Sequence, residues 1–364
     1  MRVLIADDSI LIRNVVQEIL ATDSSITLVG IATNGEEAVD RALSLDPDIV
    51  IMDIDMPIMD GLEATARIIA ASPIPIIVFT HNTDPGLPFR AIEKGAVDFL
   101  LKPDFAALNR PDYVSGFIAR LKALSSKHQR RRVTSGGTVR MKSQSPSRPA
   151  TPSQAAPSQA APSQAAMQTE FPAILPRSSI VVVGASTGGP QAVSAFLSSL
   201  PKPFPLPIAL VQHIETGFDG GYADWLAEET GHPVVLARDG DALRPGTVHV
   251  GPTDFHMLIA EKGITLNDDV KVQNQKPSVD VLFRSAAACR GRGVLAVLLT
   301  GMGADGAEGC VEVRSRGGFT VVQDEASSLI FGMPRAAIAR GAASIVLSLD
   351  RIGPFVATVA RQVP

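Results

Sequence analysis

The sequence predicts two α/β units, each a doubly wound parallel sheet, joined by a disordered linker. Three observations carry this. Apolar β-branched runs alternate with helix-period stretches over residues 1–124. The alternation resumes over 178–364, and between the two, residues 125–177 turn to Ser, Gln, Ala, Pro, Arg and Lys. Repeated strand–helix alternation argues for parallel sheets covered by helices. Within the linker, 152–166 repeat Pro-Ser-Gln-Ala-Ala without interruption. Such a segment has almost nothing to bury and predicts an extended chain.

In the first unit the strand-like runs fall at 3–6, 27–32, 49–53, 76–80 and 97–101. Helical spacing marks 10–20, 36–45, 62–71, 87–93 and 113–124. In the second unit, strand-like runs fall at 180–183, 208–211, 294–299, 320–322 and 345–347, with a hairpin-like stretch over 255–266. The basic run 127–132 opens the linker. It reads as a solvated charge run at a helix end, where cations complement the dipole.

Composition bounds the function. Hydrophobic residues make up 45% and charged residues 19% of 364, a globular composition. A net charge of −4 gives no electrostatic case for a nucleic-acid partner. Cys289 and Cys310 are too few for a disulfide framework and fall in helix-like patterns. The N-terminus reaches Asp7-Asp8 too soon for a signal peptide, and no apolar run spans a bilayer. A cytoplasmic protein with no direct membrane insertion is the expectation.

In parallel α/β sheets, sites gather at the carboxyl ends of strands. Asp7 and Asp8 end the first strand, Asp53 the third and Thr80 the fourth, and Lys102-Pro103 follow the fifth. One such Asp would read as a helix cap. Three carboxylates converging with a hydroxyl and an ammonium read as a Mg²⁺ site around a carboxylate nucleophile.

In the second unit, Ile180-Val181-Val182-Val183-Gly184-Ala185-Ser186-Thr187-Gly188-Gly189 delivers a serine into a glycine-rich turn, with Pro190 next. Gly184-x-Ser186-x-Gly188 fits a nucleophile elbow, with N–H groups nearby for an oxyanion. The rival is a phosphate loop, but no lysine follows the last glycine. A base is needed, and His213, His232, His249 and His256 are available. His213 follows a buried-strand run at the same sheet edge as Ser186, which favours it. Asp305, in a glycine-rich turn after the 294–299 run, is the candidate orienting carboxylate. The histidines and cysteines lack zinc spacing, so no metal is expected at the serine.

Residues 1–122 resemble a response-regulator receiver domain, through Asp7-Asp8, Met52-Asp53, Met56-Pro57-x-Met59-Asp60-Gly61, Thr80 and Lys102-Pro103. The resemblance implies a flavodoxin-like fold, Asp53 as phospho-acceptor, and Mg²⁺ on Asp7, Asp8 and Asp53. It also implies a Thr80–Phe99 switch pair, Lys102 on the phosphoryl group, and often a cis bond at Lys102-Pro103. Phe99 stands where the family commonly has tyrosine.

Residues 178–364 resemble the catalytic domain of CheB-type chemotaxis protein-glutamate methylesterases. The motifs are Gly184–Gly189, Gln212-His213, Pro277-Ser278-Val279-Asp280, Leu299-Thr300-Gly301-Met302-Gly303-x-Asp305-Gly306 and Phe331-Gly332-Met333-Pro334. The resemblance implies a Rossmann-like three-layer fold and a Ser186, His213, Asp305 triad, with Thr187 and Met302 near the oxyanion. It implies a phosphorylation-activated esterase acting on glutamate γ-methyl esters of chemotaxis receptors, with glutamine deamidation at the same site. The partners implied are those receptors and a histidine kinase as phosphodonor. A monomer is expected. The segment 214–219 departs from the family's Met-Pro and Phe-Thr pattern after the histidine. The alternative is a phospho-dependent binding module of a non-motility chemosensory system with weak or altered esterase range.

Overall fold

The computed structural model describes residues 1–80, 84–135 and 178–361. The first unit runs β1 (Arg2–Ala6), α1 (Ile10–Ala21), β2 (Thr27–Ala32), α2 (Gly35–Leu45), β3 (Ile49–Asp53) and α3 (Gly61–Ala71). It continues with β4 (Ile76–Thr80), α4 (Leu87–Glu93), β5 (Asp98–Leu101) and α5 (Pro111–Ser135). The five strands are parallel in the order β2-β1-β3-β4-β5. β1, β3 and β4 carry almost wholly buried residues, as strands covered on both faces must. Ser9, Asn34 and Asp60 cap α1, α2 and α3 with their side-chain oxygens, which fixes where each helix begins.

The last helix corrects the sequence reading. α5 runs to Ser135, well past the expected linker start at 125. No Pro or Gly interrupts 117–135, and the basic run is made of good helix formers, so nothing stops the helix before Gly136. The Pro-Ser-Gln-Ala-Ala repeats lie outside the described residues.

The second unit runs β6 (Ile180–Ala185), α6 (Gly189–Ser198), β7 (Ile208–Gln212), α7 (Asp219–Thr230), β8 (Val234–Leu236) and β9 (Val248–Val250). A hairpin of β10 (His256–Ala260) and β11 (Gly263–Asn267) follows, then α8 (Val279–Arg290) and β12 (Val294–Leu298). The rest is α9 (Ala307–Ser315), β13 (Phe319–Gln323), α10 (Met333–Ala339), β14 (Ile345–Leu347) and α11 (Leu349–Ala360). Seven strands form a parallel sheet in the order β14-β13-β12-β6-β7-β9-β8. The hairpin forms its own antiparallel sheet. The edge strand β8, of three residues, has no run in the sequence long enough to announce it.

Strand order decides where sites can form. In the first sheet the order reverses between β1 and β3. In the second it reverses between β6 and β12. Helices leave opposite faces at such points and open a crevice at the strand ends. Asp7 and Asp53 lie at one crevice, Ser186 and Asp305 at the other.

The two units pack through aromatic rings. Phe99 of β5 meets Phe218 at 5.2 Å between centroids. Phe89 of α4 meets Tyr222 at 5.3 Å and stacks on Trp225 at 5.5 Å. Trp225 Nε1 donates to Glu93 at 2.6 Å, and Gln191 donates to the carbonyl of Ala96 at 3.0 Å. These rings join one apolar cluster reaching into both units.

Gly221 of α7 lies so close to Pro85 that an added Cβ would overlap the Pro85 carbonyl. In an isolated helix, Gly→Ala is favourable by about 1 kcal/mol. Gly221→Ala is therefore expected to loosen docking while leaving α7 intact. Trp225 is the sole tryptophan of the chain. Acrylamide quenching of its fluorescence should rise while far-UV circular dichroism stays constant. Unchanged quenching would show that the interface absorbs the methyl group.

Candidate active site

Ser186 is the first residue beyond β6, and the chain turns at once. Gly188 adopts φ 73°, open to glycine at no steric cost, and caps α6. Gly301, on the loop after β12, has no room for a side chain. A Cβ there would lie 2.8 Å from Ser186 Cβ and overlap Met333 Sδ. That close approach brings the 300–303 loop against the serine. Gln212, at the end of β7, ties the pieces together: its Nε2 donates to the carbonyls of Ser186 at 2.7 Å and His213 at 3.0 Å.

His213 Nε2 lies 2.9 Å from Asp305 Oδ2. Its Nδ1 is buried without a hydrogen-bond partner among the described residues. Ser186, Thr187, His213 and Met302 line one cavity of about 510 Å³. No hydrogen bond joins Ser186 Oγ to His213; the two share the cavity wall. The backbone N–H groups of Thr187 and Met302 donate to no acceptor among the described residues. Two unengaged donors beside a hydroxyl are what a developing oxyanion requires.

Asp305 is buried and richly satisfied. Its Oδ1 accepts from Ser278 Oγ at 2.8 Å, Asp280 N at 2.9 Å and Gly306 N at 3.0 Å. Its Oδ2 accepts from Val279 N at 2.7 Å besides His213. Three of these donors are the cap and first N–H groups of α8, the positive end of a helix dipole. Burial opposes the charge, yet the His213 hydrogen bond and charge, with the α8 donors, hold the carboxyl below its ordinary value.

The other histidines are engaged elsewhere. His232 Nε2 is 3.0 Å from the Leu197 carbonyl, and His249 sits buried in β9. His256 reaches Val270 O at 3.1 Å and accepts from Ser278 N at 3.1 Å, so it braces the cap of α8.

At the first crevice, ligand oxygens of Asp7, Asp8 and Asp53 lie within 4.8 Å of one another. Lys102 Nζ bridges Asp7 Oδ2 at 3.1 Å and Asp53 Oδ2 at 2.6 Å. Burial, then the charge of Asp7, push the Asp53 carboxyl up to about 6 despite Lys102. An all-oxygen donor set with one exposed member, Asp8, fits a hard cation that keeps water ligands. Thr80 ends β4 as expected, beside Leu101 in register. Phe99 is turned into the contact between the units, 5.5 Å from Phe89 and 5.2 Å from Phe218. The Lys102–Pro103 bond is trans; among the described residues the cis bonds precede Pro203 and Pro277.

Sequence reasoning passed over several participants. Gly116 and Arg120 of α5 line the Ser186 cavity, and Arg120 Nη1 lies 3.9 Å from Glu215. Gln212 and the α8 N-terminus sit inside sequence motifs that do not by themselves reveal what they bind. The Ser278 cap before an apolar helix was a legible signal; the placement of α5 was not. The departing segment 214–219 supplies Ile214, Glu215 and Thr216 to the cavity and Phe218 to the contact with Phe99.

Two family models match: CheB methylesterase over 181–356 and Response regulator receiver domain over 3–110. A protein of Anaeromyxobacter dehalogenans named protein-glutamate methylesterase/protein-glutamine glutaminase 2 is 40% identical over 351 residues, covering 96% of this chain and 94% of its own. A like-named protein of Geobacter metallireducens is 38% identical and covers 99% of both. The solved CheB methylesterase catalytic domain of Thermotoga maritima is 35% identical, covering 51% of this chain and 99% of its own, with a TM-score of 0.49.

The raised Asp53 carboxyl has a consequence for stability. Protonated, it carries no desolvation penalty; as pH rises from the unfolded value near 3.8 through about 6, that penalty appears. In EDTA, Asp53→Asn should match wild type near pH 4 and exceed it at pH 8 by on the order of 2 kcal/mol. Thermal denaturation across pH measures the gap. A gap that does not widen with pH would refute the assignment.

Proposed function

The chain belongs to the CheB methylesterase family, with a receiver domain ahead of the esterase domain. On that premise we propose that it is a phosphorylation-controlled serine esterase. It hydrolyses glutamate γ-methyl esters on chemoreceptors and deamidates glutamines at the same sites. The observation that carries the reading is the buried His213–Asp305 pair, whose histidine lines one cavity with Ser186.

His213, oriented by Asp305, takes the proton of Ser186 as Oγ attacks the ester carbonyl. The N–H groups of Thr187 and Met302 receive the oxyanion. His213 then protonates the leaving methoxide, and methanol departs, or ammonia from a glutamine. Water, deprotonated by His213, hydrolyses the acyl-serine and releases the glutamate carboxylate. Because Asp305 sits among α8 donors, its charge persists when His213 becomes cationic.

Control comes from the receiver. Asp7, Asp8 and Asp53 would hold Mg²⁺, which neutralises phosphoryl oxygens when bound. Asp53 accepts the phosphoryl group from a kinase, and Lys102, freed from Asp53 Oδ2, turns to its oxygens. Gly116 and Arg120 wall the cavity in the unphosphorylated chain, so the receiver must withdraw for a protein substrate to enter. A binding module with a spent triad is not favoured: relatives matched over nearly their whole length are named as enzymes.

Methanol release from methylated receptors should fall by at least about 10³-fold in Ser186→Ala. Retention of wild-type turnover would remove the esterase reading. In Asp53→Asn, stimulation by a small phosphodonor should vanish while basal turnover persists. Stimulation that survives would detach control from the receiver.

A further inference from the structure

Among the described residues, three cations line the cavity around Ser186: Arg120, Lys271 and Lys276. Two are committed. Arg120 lies 2.7 Å from Asp98 and 3.9 Å from Glu215, and Lys276 lies 2.5 Å from Asp268. Lys271 is exposed, and among the described residues its ammonium makes no hydrogen bond or ion pair. An uncommitted charge faces the space a substrate must fill.

The segment that carries it is held firmly. Residues 270–276 form a tight hairpin, with Val272 and Gln275 paired and the chain reversing at Gln273 (φ 50°) and Asn274 (φ 65°). His256 holds one end through Val270 O at 3.1 Å. The tip is held by Gln273 Nε2, which donates to Asp280 Oδ2 at 2.7 Å. Asp280 is wholly buried, takes Gly309 N on Oδ1 at 2.6 Å, and gives its own N–H to Asp305 at 2.9 Å. The hairpin is therefore anchored to the helix turn that holds the triad carboxylate. That anchor fixes Lys271 relative to Ser186.

We propose that Lys271 is a specificity-determining residue that receives a carboxylate flanking the scissile ester, and that the Gln273–Asp280 bond positions it. This rests on the esterase reading and extends it to the substrate's neighbouring side chains. Glu215 and Asp254 line the same cavity from other loops. An acidic neighbour is thus accepted beside the hairpin and repelled beside those loops, so discrimination depends on which side of the ester the acid lies.

The test uses the full chain with a small phosphodonor and three synthetic peptides, each bearing one glutamate γ-methyl ester. One has glutamine on both flanks, one a glutamate before the ester, and one a glutamate after it. One acidic peptide should exceed the neutral peptide about threefold in kcat/KM, mainly through KM, as an exposed ion pair supplies. Lys271→Ala should erase that preference, and Lys271→Glu should turn it into a disadvantage. Both should leave turnover of the neutral peptide within about twofold, since Lys271 touches no reacting atom. Gln273→Ala, at an exposed position, should weaken the preference while sparing neutral turnover. About 1 M salt should flatten the preference in wild type. Absence of any acidic preference in wild type, or its persistence in Lys271→Glu, would overturn the proposal. Absence of Ser186-dependent methanol release from all three peptides would instead overturn the esterase reading.

Discussion

A buried carboxylate held by a helix N-terminus organises the catalytic half of this protein. Asp305 would cost several kcal/mol to bury alone. The Ser278 hydroxyl, the Val279, Asp280 and Gly306 N–H groups and His213 satisfy its oxygens. This demands that α8 begin directly over the end of β6. Gly184 permits it, since a Cβ there would overlap Val279. The helix that secures the carboxylate also secures the hairpin beside the cavity, through Asp280. Orientation of the histidine and shape of the substrate wall thus share one support.

The acidic crevice uses the same kind of sheet reversal to the opposite electrostatic end. Asp305 is surrounded by donors and stays charged. Asp53 is buried near Asp7 with one shared ammonium, and its carboxyl is pushed up to about 6. The first arrangement keeps a fixed charge for chemistry repeated at every turnover. The second holds carboxylates in tension, which a cation among them would relieve. Physical contact couples the two, because β5 and α5 carry Phe99 and Arg120 from the acidic crevice to the loop that follows His213.

The contact itself is mainly aromatic. Its aromatic rings bury large apolar faces, but Tyr222 OH is buried without a hydrogen-bond partner among the described residues. An unsatisfied buried hydroxyl costs about 1–3 kcal/mol. The 214–219 segment, where the sequence departs from its family's pattern, supplies both Phe218 at this contact and Glu215 at the cavity. Its change therefore bears on the contact between the units and on the cavity wall together.

Much of this was legible from residues alone. Alternating apolar runs gave the parallel sheets, because strands buried on both faces must be apolar throughout. Asp7, Asp53, Ser186 and His213 were legible because they follow such runs directly, and strand ends are where α/β crevices open. Linker composition ended the first unit too early, because a basic run without Pro or Gly continues a helix as readily as it leaves one. Local pattern could not reveal strand order, and strand order makes neighbours of β6 and β12, the strands that lead to Ser186 and Asp305. Nor could it reveal that Gln212 binds the carbonyls of Ser186 and His213 and α8 the carboxylate of Asp305, that Phe99 turns towards Phe218, or that Arg120 walls the cavity. The sequence by itself determined which chemical groups the chain owns and which strand ends present them. Only the tertiary structure decided which of them meet, because hydrogen bonds and ring contacts between distant segments are fixed by packing rather than by periodicity.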